Sequence, residues 1–325
     1  MKKFFLLLAS MVLIAGCDDG DMAYKSFDFS NQPNPTSCPA NTTDPTATSE
    51  IYYKINATEG LILTLAKGAL INSPTQDEDG VDTPREIVLS GPNTLTYYDF
   101  VSKPTSLCMV SEVPAFNEKW TGQGTLSVST YEILDTNNKL TGYTHSIIIK
   151  NVSFSRDQET ITVIDSDFGN VDKPLGFTFN FVPENGTDPM VKACTESTLI
   201  YTMKDQQILS IDILDQDFYF ANETGTKTIT IPNDSNDATV LFNVYNGTAS
   251  TLNVCGKGSD VPSLPIQKWQ LAQGSVIIKT NESGGIYTHN IYLKNALFIR
   301  TNSSDQFYLD DVVTVGADGY FFGTY

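Results

Sequence analysis

The sequence predicts an all-β protein built from two tandem, duplicated β-sandwich modules, and three observations lead to this prediction. Val, Ile, Thr, Tyr and Phe are abundant, and the periodicity of a long helix is absent after residue 20. Short apolar runs alternate with polar turns, as in antiparallel sheets. A segment near the middle of the 325-residue chain recurs near its end, and this length favours two domains over one.

The repeated segment shows where the two modules correspond. Tyr143–Arg156 (YTHSIIIKNVSFSR) and Tyr287–Arg300 (YTHNIYLKNALFIR) share Tyr, Thr, His, Ile, Lys, Asn, Phe and Arg in the same order. The start of the module is repeated as well, because Phe27–Pro33 is similar to Phe177–Pro183 and each leads to a cysteine. A whole unit is therefore duplicated within the chain.

These matches assign residues 25–172 to a first module and residues 173–325 to a second, and paired segments predict their strands in order. Each segment is rich in β-branched and aromatic residues and lies between polar turns. The paired strands are Ile51–Asn56 with Leu199–Met203, Leu61–Leu65 with Ile208–Ile213, Thr94–Phe100 with Thr239–Tyr245, and Thr125–Leu134 with Ser275–Thr280. Turns rich in Asn and Gly then lead into the repeated segments, as in hairpins. The terminal Tyr320–Tyr325 is predicted to be a final strand.

Within the repeated segment, alternate side chains are expected on opposite faces of the sheet. Tyr143, His145, Ile147 and Ile149 fall on one face, and this face is apolar in the second copy too. We expect it to point into the core. The Lys-Asn pair that follows in both copies breaks the alternation and predicts a bulge or turn.

Ahead of the modules, residues 1–16 have the features of a secretory signal peptide. Two lysines precede an apolar run over Phe4–Ile14, which is too short to span a bilayer. The run ends in Leu-Ile-Ala-Gly-Cys, which resembles the lipobox of bacterial lipoproteins. The resemblance implies cleavage before Cys17, acylation of Cys17 and stable membrane attachment. An ordinary secretory peptide with an incidental cysteine is the alternative interpretation.

The residues after Cys17 indicate where in the cell envelope the protein is located. Asp18, Asp19 and Asp21, in a lipidated acidic N-terminus over residues 17–24, resemble the export signal of surface-exposed lipoproteins from the Bacteroidetes. This resemblance implies an outer-membrane protein that faces outside the cell. In enterobacterial lipoproteins an Asp directly after the Cys implies retention in the inner membrane. The succession of acids favours the surface interpretation.

Composition and missing motifs exclude several function classes. The formal net charge of −18 makes nucleic acid and anionic head groups poor partners. The chain lacks a P-loop, a G-x-S-x-G elbow and an H-E-x-x-H motif, so P-loop, serine-triad and His-zinc chemistry are disfavoured and no cofactor is predicted. The expected partners are the membrane, through the lipid, and an extracellular protein or glycan.

Four cysteines remain after lipidation, two in each module: Cys38, Cys108, Cys194 and Cys255. An exported protein meets oxidising conditions, so disulfides are expected. Of the three possible connectivities, the repeat selects Cys38–Cys108 and Cys194–Cys255, because equivalent positions in two copies of one fold should be equally close. The absence of a C-x-x-C pair disfavours a zinc site.

His145 and His289 are the only histidines, and they are equivalent in the repeat. Because histidine titrates near neutral pH, a catalytic or metal-binding role is one interpretation. Their position inside strands with apolar neighbours favours a structural role instead. We predict a hydrogen bond from each imidazole to a partner on a neighbouring strand.

An acidic stretch contains Asp77, Asp79 and Asp82 around a glycine and resembles a short cation-binding loop. It lacks the length and the terminal Glu of an EF-hand, and the second module has no counterpart. We therefore favour a solvated loop and predict no metal site.

Trp120 and Trp269 are the only tryptophans, and they also occupy equivalent positions, each after a loop that contains proline. Exposed tryptophans would suit glycan binding by stacking on sugar rings. A position near the start of a strand favours burial in the core.

These observations predict a lipid-anchored, cell-surface binding or structural module that contacts an extracellular protein or glycan. The alternative is a hydrolase of the outer membrane that uses paired carboxylates on a glycoside or a peptide. The sequence does not choose between them, because its 38 acidic residues supply many possible pairs.

Overall fold

The computed structural model describes residues 27–38, 49–77, 79–108, 113–163, 166–179, 181, 191–195, 197–301, 303 and 305–325. The predicted signal peptide, the lipidated Cys17 and the acidic export signal lie outside the described residues. In the part of the chain that is described, no helix has the length and apolar character needed to cross a membrane.

The described chain forms two separate antiparallel sheets of nine strands each, which confirms an all-β fold of two modules. The first sheet consists of β1 (Thr36–Ser37), β2 (Ser49–Asn56), β3 (Glu59–Ala66), β4 (Arg85–Val88), β5 (Thr94–Phe100), β6 (Phe116–Leu134), β7 (Leu140–Arg156), β8 (Glu159–Val163) and β9 (Ser166–Pro174). The second consists of β10 (Lys192–Ala193), β11 (Leu199–Lys204), β12 (Gln207–Ile213), β13 (Gly225–Ile231), β14 (Ala238–Val244), β15 (Gln267–Ser283), β16 (Ile286–Arg300), β17 (Gln306–Tyr308) and β18 (Tyr320–Thr324). The helical segments are α1 (Gln216–Tyr219), α2 (Thr251–Cys255), α3 (Leu309–Val312) and a 3-10 turn at Gly258–Asp260.

The two sheets have the same topology. The order in the first is β1-β2-β3-β5-β6-β7-β8, with β4 on β6 and β9 on β7. The order in the second is β10-β11-β12-β14-β15-β16-β17, with β13 on β15 and β18 on β16. Each strand of the first module therefore has one counterpart in the second, as the duplication predicts.

In each module, two long paired strands contribute to both layers of the sandwich. A bulge in this pair separates the half in one layer from the half in the other. In the first module, the register of β6 and β7 shifts at Gly124, which has φ 148°. It lies opposite Asn151, which has φ 52°. In the second module, Gly274 (φ 131°) and Asn295 (φ 50°) repeat the arrangement. The predicted interruption after the lysine is thus a bulge in both copies, and such bulges bend a strand.

The core of the first module lies between the two layers. Leu63 and Leu95 come from β3 and β5, whereas Val128 and Ile147 come from the halves of β6 and β7 beyond the bulge. All four are at most 2% exposed and belong to one hydrophobic cluster. The predicted inward face is confirmed at the histidine and the two aliphatic residues that follow it in each copy, which are buried. The first residue of the face differs, because Tyr143 is buried against the second module and Tyr287 is half-buried.

One boundary differs from the sequence prediction. We predicted a strand from Thr125 after a loop that ends at Trp120, but β6 begins at Phe116 and the tryptophan lies within it. The second module shows the same difference, since β15 begins at Gln267. The polar residues before the bulge pair with β5 and β14, so the hydrogen-bonded ladder outweighs their weak apolar pattern.

Both predicted disulfides are present. Cys38–Cys108 and Cys194–Cys255 have Cα–Cα distances of 5.3 and 5.6 Å and sequence separations of 70 and 61. Each joins the segment before the second strand of its module to the segment after the fifth. Under the chain-entropy model, loops of this size each stabilise the fold by about 4 kcal/mol.

The modules contact each other through β7. Its residues Leu140 and Tyr143 are buried in the hydrophobic cluster of the second module, and α3 lies against this strand. A polar contact accompanies them, because Asn72 Nδ2 donates to Asp305 Oδ1 over 3.1 Å. The chain passes from one module to the next after β9, and Leu175 already belongs to the second core.

Candidate functional site

A cavity of about 300 Å³ lies in the first module, beside β2 and the start of β9. Its apolar walls are Phe27, Phe29, Pro33, Leu61, Ile149, Phe154 and Val163, and its polar lining residues are Asp28, Ser30, Lys54, Ser166 and Asp167. Asp28, Ser30 and Asp167 are exposed, whereas Lys54 and Leu61 are buried. The cavity therefore runs from a polar rim into the apolar interior.

Lys54 lies in this interior with only 2% of its surface exposed. Its ammonium donates to the carbonyl oxygens of Pro33 at 3.3 Å and of Asp167 at 3.5 Å, and it lies 5.6 Å from the ring centroid of Phe168. Within the described residues, no carboxylate lies within ion-pair distance of it. Among the described residues, the direct contacts of the ammonium are thus two neutral carbonyl oxygens and an aromatic ring.

Burial lowers the pKa of Lys54, and the negative charge of Asp167 opposes this from a greater distance. The position follows from the pleat of β2, where Tyr52 and Lys54 are two residues apart and both buried. A charged residue at such a position is costly unless another group compensates it.

The second module has a different side chain at the position that corresponds to Ser166 of the cavity. Ser166 pairs with Ile149 in the first sheet, and Tyr320 pairs with Leu293 in the second, so Ser166 and Tyr320 are equivalent. Tyr320 is 4% exposed, and its ring lies 5.4 Å from that of Phe179. Its hydroxyl donates to the carbonyl oxygen of Phe181 over 2.9 Å.

In the second module the ring of Tyr320 therefore packs against Phe179, the counterpart of Phe29, in the region that is open in the first module. Tyr320 also lines a separate cavity of about 260 Å³ with Phe181, Tyr292 and Phe321. Lys54 is replaced as well, because it pairs with Leu61 just as Thr202 pairs with Leu209. Of the lining positions that differ between the copies, Ser166 against Tyr320 changes side-chain size, and Lys54 against Thr202 changes the charge in the interior.

Comparison with protein-family models, with curated proteins and with solved structures finds no match. The internal repeat is consequently the reference against which the cavity is interpreted.

The acidic residues of the cavity rim are engaged in local turns. Asp28 Oδ1 accepts the backbone N–H of Ser30 over 2.9 Å, and Asp167 Oδ1 accepts that of Gly169 over 2.7 Å. The hydrogen bonds from Ser30 lower the pKa of Asp28. Both carboxyl groups therefore shape the backbone at the rim.

The two histidines have the structural role that we predicted. His145 Nδ1 lies 2.9 Å from Thr130 Oγ1, and His289 Nδ1 lies 2.8 Å from Thr280 Oγ1. In each case the threonine is the directly opposite residue of the neighbouring strand. The predicted cross-strand hydrogen bond is thus confirmed in both modules.

The contacts of His145 also determine which of its two ring nitrogens carries the proton. The amide nitrogen of Asn72 donates to Asp305, so its carbonyl oxygen faces His145 Nε2. The Nε2–H group donates a hydrogen bond to this oxygen over 3.1 Å. Thr130 then donates to the unprotonated Nδ1. Burial, with the positive charges of Lys173 and Arg85, lowers the pKa of His145 to about 4. This imidazole is neutral at physiological pH.

The tryptophans are buried, as the position near a strand predicted. Trp120 is 3% exposed and Trp269 is 1% exposed. Their indole N–H groups donate to Glu118 and Gln267, which lie two residues earlier in each strand. An arginine stacks over each ring. Neither ring offers a free face to a sugar, so the glycan-stacking interpretation does not hold for them.

In the acidic loop, the carboxylates of Asp77 and Asp82 accept hydrogen bonds from neighbouring residues. Asp77 Oδ1 accepts the backbone N–H groups of Asp79 and Val81. Asp82 accepts the hydroxyls of Thr75 at 2.6 Å, Ser129 at 2.5 Å and Tyr131 at 3.0 Å, and these hydrogen bonds lower its pKa. Among the residues that the structure describes, no three His, Cys, Asp or Glu side chains are grouped as metal ligands.

Our sequence analysis did not identify Lys54 and Ser166. A signal for Lys54 was available, because aligning Ile51–Asn56 with Leu199–Met203 sets a lysine against Thr202 at an inward position. Ser166 was harder to find, because its segment shares only Phe-Gly with Tyr320–Thr324. Strand register reveals that equivalence.

Proposed function

We propose that this protein is a lipid-anchored, outward-facing binding protein of the outer membrane, and that its first module binds an extracellular protein or glycan through the cavity. The observation that carries the proposal is the difference between two copies of one fold. The cavity around Lys54 is open where Ser166 stands and filled where Tyr320 stands. Concave, mostly apolar sites with a few polar groups are typical of ligand binding.

In this proposal, the features that both modules share stabilise the fold and do not contact the ligand. Each copy keeps its disulfide, its threonine–histidine pair, its buried tryptophan and its bulge glycine. In this proposal the second module supports the first, which directly follows the lipidated Cys17 in the chain. The resemblance of residues 13–17 to a lipobox and the acidic segment after Cys17 support the proposed location.

The chemistry at the cavity supports binding more than carboxylate-based hydrolysis. Its buried end carries an amine, Lys54, and the acids at its rim each accept a hydrogen bond in a local turn. Paired carboxylates for a glycosidase would have one acid with a raised pKa, whereas the pKa of Asp28 is lowered.

The test uses the chain from residue 18 onward, which contains both modules. Immobilised protein is incubated with proteins released from the exterior of cells and, separately, with a glycan array. Ser166→Tyr, which copies the second module, is expected to lose the captured partner. Ser155→Tyr, at an exposed position of β7, is the matched control and is expected to retain it. Capture that is equal for both variants would disprove binding through the cavity.

The location is tested separately by protease treatment of intact cells. Both modules should be degraded before the cells are broken. Protection until lysis would contradict the outward-facing assignment.

A further inference from the structure

We infer that the cavity of the first module receives a carboxylate carried on an apolar group, with Lys54 as its counter-ion. The inference rests on the proposed function and specifies the chemistry of the ligand. Two sources share this chemistry: the carboxy-terminal apolar residue of an extracellular polypeptide, and a free apolar acid.

The first argument is the isolated charge of Lys54. An ammonium group carries three N–H donors, and this one has two carbonyl contacts at 3.3 and 3.5 Å, longer than typical charge-assisted hydrogen bonds. A buried charge without a counter-ion is strongly disfavoured, whereas a buried pair with good geometry offsets much of that cost. An incoming carboxylate supplies both the opposite charge and a strong acceptor. Burial lowers the pKa of this lysine in the unliganded state, and a bound carboxylate would raise it.

The second argument is the character of the walls. Phe27, Phe29, Leu61, Ile149, Phe154 and Val163 surround the space, and Ser30 and Ser166 are the neutral polar side chains in its lining. A sugar ring would leave most of its hydroxyls without partners, which is unfavourable in a buried site. An apolar side chain or an alkyl chain matches this surface. The volume of about 300 Å³ suits a ligand smaller than most drugs.

The negative charges at the rim do not prevent this binding. Asp28 and Asp167 are exposed, and interactions of exposed charges are screened by water and salt. The ammonium of Lys54 is buried, where screening is much weaker. The interaction with the lysine is therefore expected to dominate, and the rim is expected to slow the approach of anions mainly at low salt.

The experiment compares acids with neutral analogues by titration calorimetry on the chain from residue 18 onward. One pair of probes is octanoate and octanol, and the other is Ala-Ala-Phe with a free or an amidated carboxy terminus. Each acid is expected to bind at least roughly tenfold tighter than its neutral analogue, as for a charge-assisted hydrogen bond. Lys54→Met is expected to abolish this preference, and Lys67→Met, at an exposed position, is expected to keep it. The tighter of the two acids identifies the source.

Equal binding of acid and neutral probes, a preference that survives in Lys54→Met, or no binding of any probe would overturn the inference. Circular dichroism and thermal unfolding of each variant verify that it is folded. The proposed function is judged separately, because it depends on the loss of the captured partner in Ser166→Tyr. If that loss is observed while no acid binds, the cavity is a binding site for another chemistry.

Discussion

Ser166 and Tyr320 occupy the same position in two copies of one sheet, each three residues before a glycine with a positive φ. Ser166 precedes Gly169 (φ 97°), and Tyr320 precedes Gly323 (φ 142°). The strand register is equivalent on both sides, because each glycine pairs with an isoleucine of the repeated segment. The backbone pairing at this position is thus the same in both copies, and the side chain that it carries differs in volume.

Removal of the tyrosine ring should open a cavity in the second module. We expect Tyr320→Ser to destabilise the protein by about 3–5 kcal/mol, because a large buried side chain is lost from a packed core. Urea unfolding followed by tryptophan fluorescence measures the change. Tyr320→Phe is the control: it removes only the hydroxyl that bonds Phe181, and about 1–2 kcal/mol is expected. Equal costs for the two variants would show that the ring does not fill this space.

His145 should remain neutral well below the usual range for histidine. Its folded pKa of about 4 lies below the unfolded value of ~6.5, so the neutral form stabilises the fold. This contribution is complete above pH ~6.5 and is lost as the pH falls toward and below 4, by about 3 kcal/mol in total.

Proton NMR of the imidazole Cε1–H groups tests this prediction directly, since the chain has only two histidines. The His145 signal should stay at its neutral position from pH 8 to pH 5. His289→Gln identifies which signal belongs to which ring. A midpoint near pH 6.5 for His145 would contradict the buried hydrogen-bonded arrangement.

The contact between modules should become less favourable as the pH rises. Asp311, on α3, is half-buried, and burial with the charges of Glu132 and Asp310 raises its pKa to about 6. The protonated form is therefore favoured in the folded state, and its contribution is lost as the pH rises from ~3.8 through 6.

Asp311→Asn removes this titration. It should stabilise the protein at pH 8 by about 1 kcal/mol, a value reduced by the partial exposure of the side chain, and should have little effect at pH 4.5. Thermal unfolding at the two pH values measures the difference. Asp260→Asn, at an exposed position of the 3-10 turn, is the control. A pH-independent effect of Asp311→Asn would argue against a raised pKa.

The bulge glycine of the first module should tolerate no side chain. A Cβ at Gly124 would lie 2.6 Å from the carbonyl oxygen of Asn151, and its φ of 148° is unfavourable for other residues. We expect Gly124→Ala to destabilise the protein by about 1–3 kcal/mol in urea unfolding. Gly91→Ala separates backbone strain from steric overlap, because Gly91 has φ 59° and no atom lies within 4 Å of the added Cβ. Backbone strain alone is expected to destabilise this variant by about 1 kcal/mol. A smaller effect at Gly124 than at Gly91 would refute the steric argument.

The all-β, two-module architecture could be predicted from the order of the amino acids. Alternation of apolar side chains marks strands, and the internal repeat fixed the correspondence of modules and with it the pairing Cys38–Cys108 and Cys194–Cys255. Equivalence also gave His145 and His289 their structural role. These inferences succeed because they depend on local periodicity and on a comparison of two copies of one fold.

The position of the cavity could not be predicted in this way, because it depends on contacts between distant parts of the chain. Lys54, Ser166 and Pro33 are far apart in sequence, and they line one cavity because β2, β9 and the segment before β1 meet there. Whether a residue fills a space depends on its volume and on neighbours brought from distant strands. The local pattern of apolar and polar residues contains no information on side-chain volumes or on neighbours from distant strands. The cavity and the buried charge of Lys54 therefore could not be predicted from it.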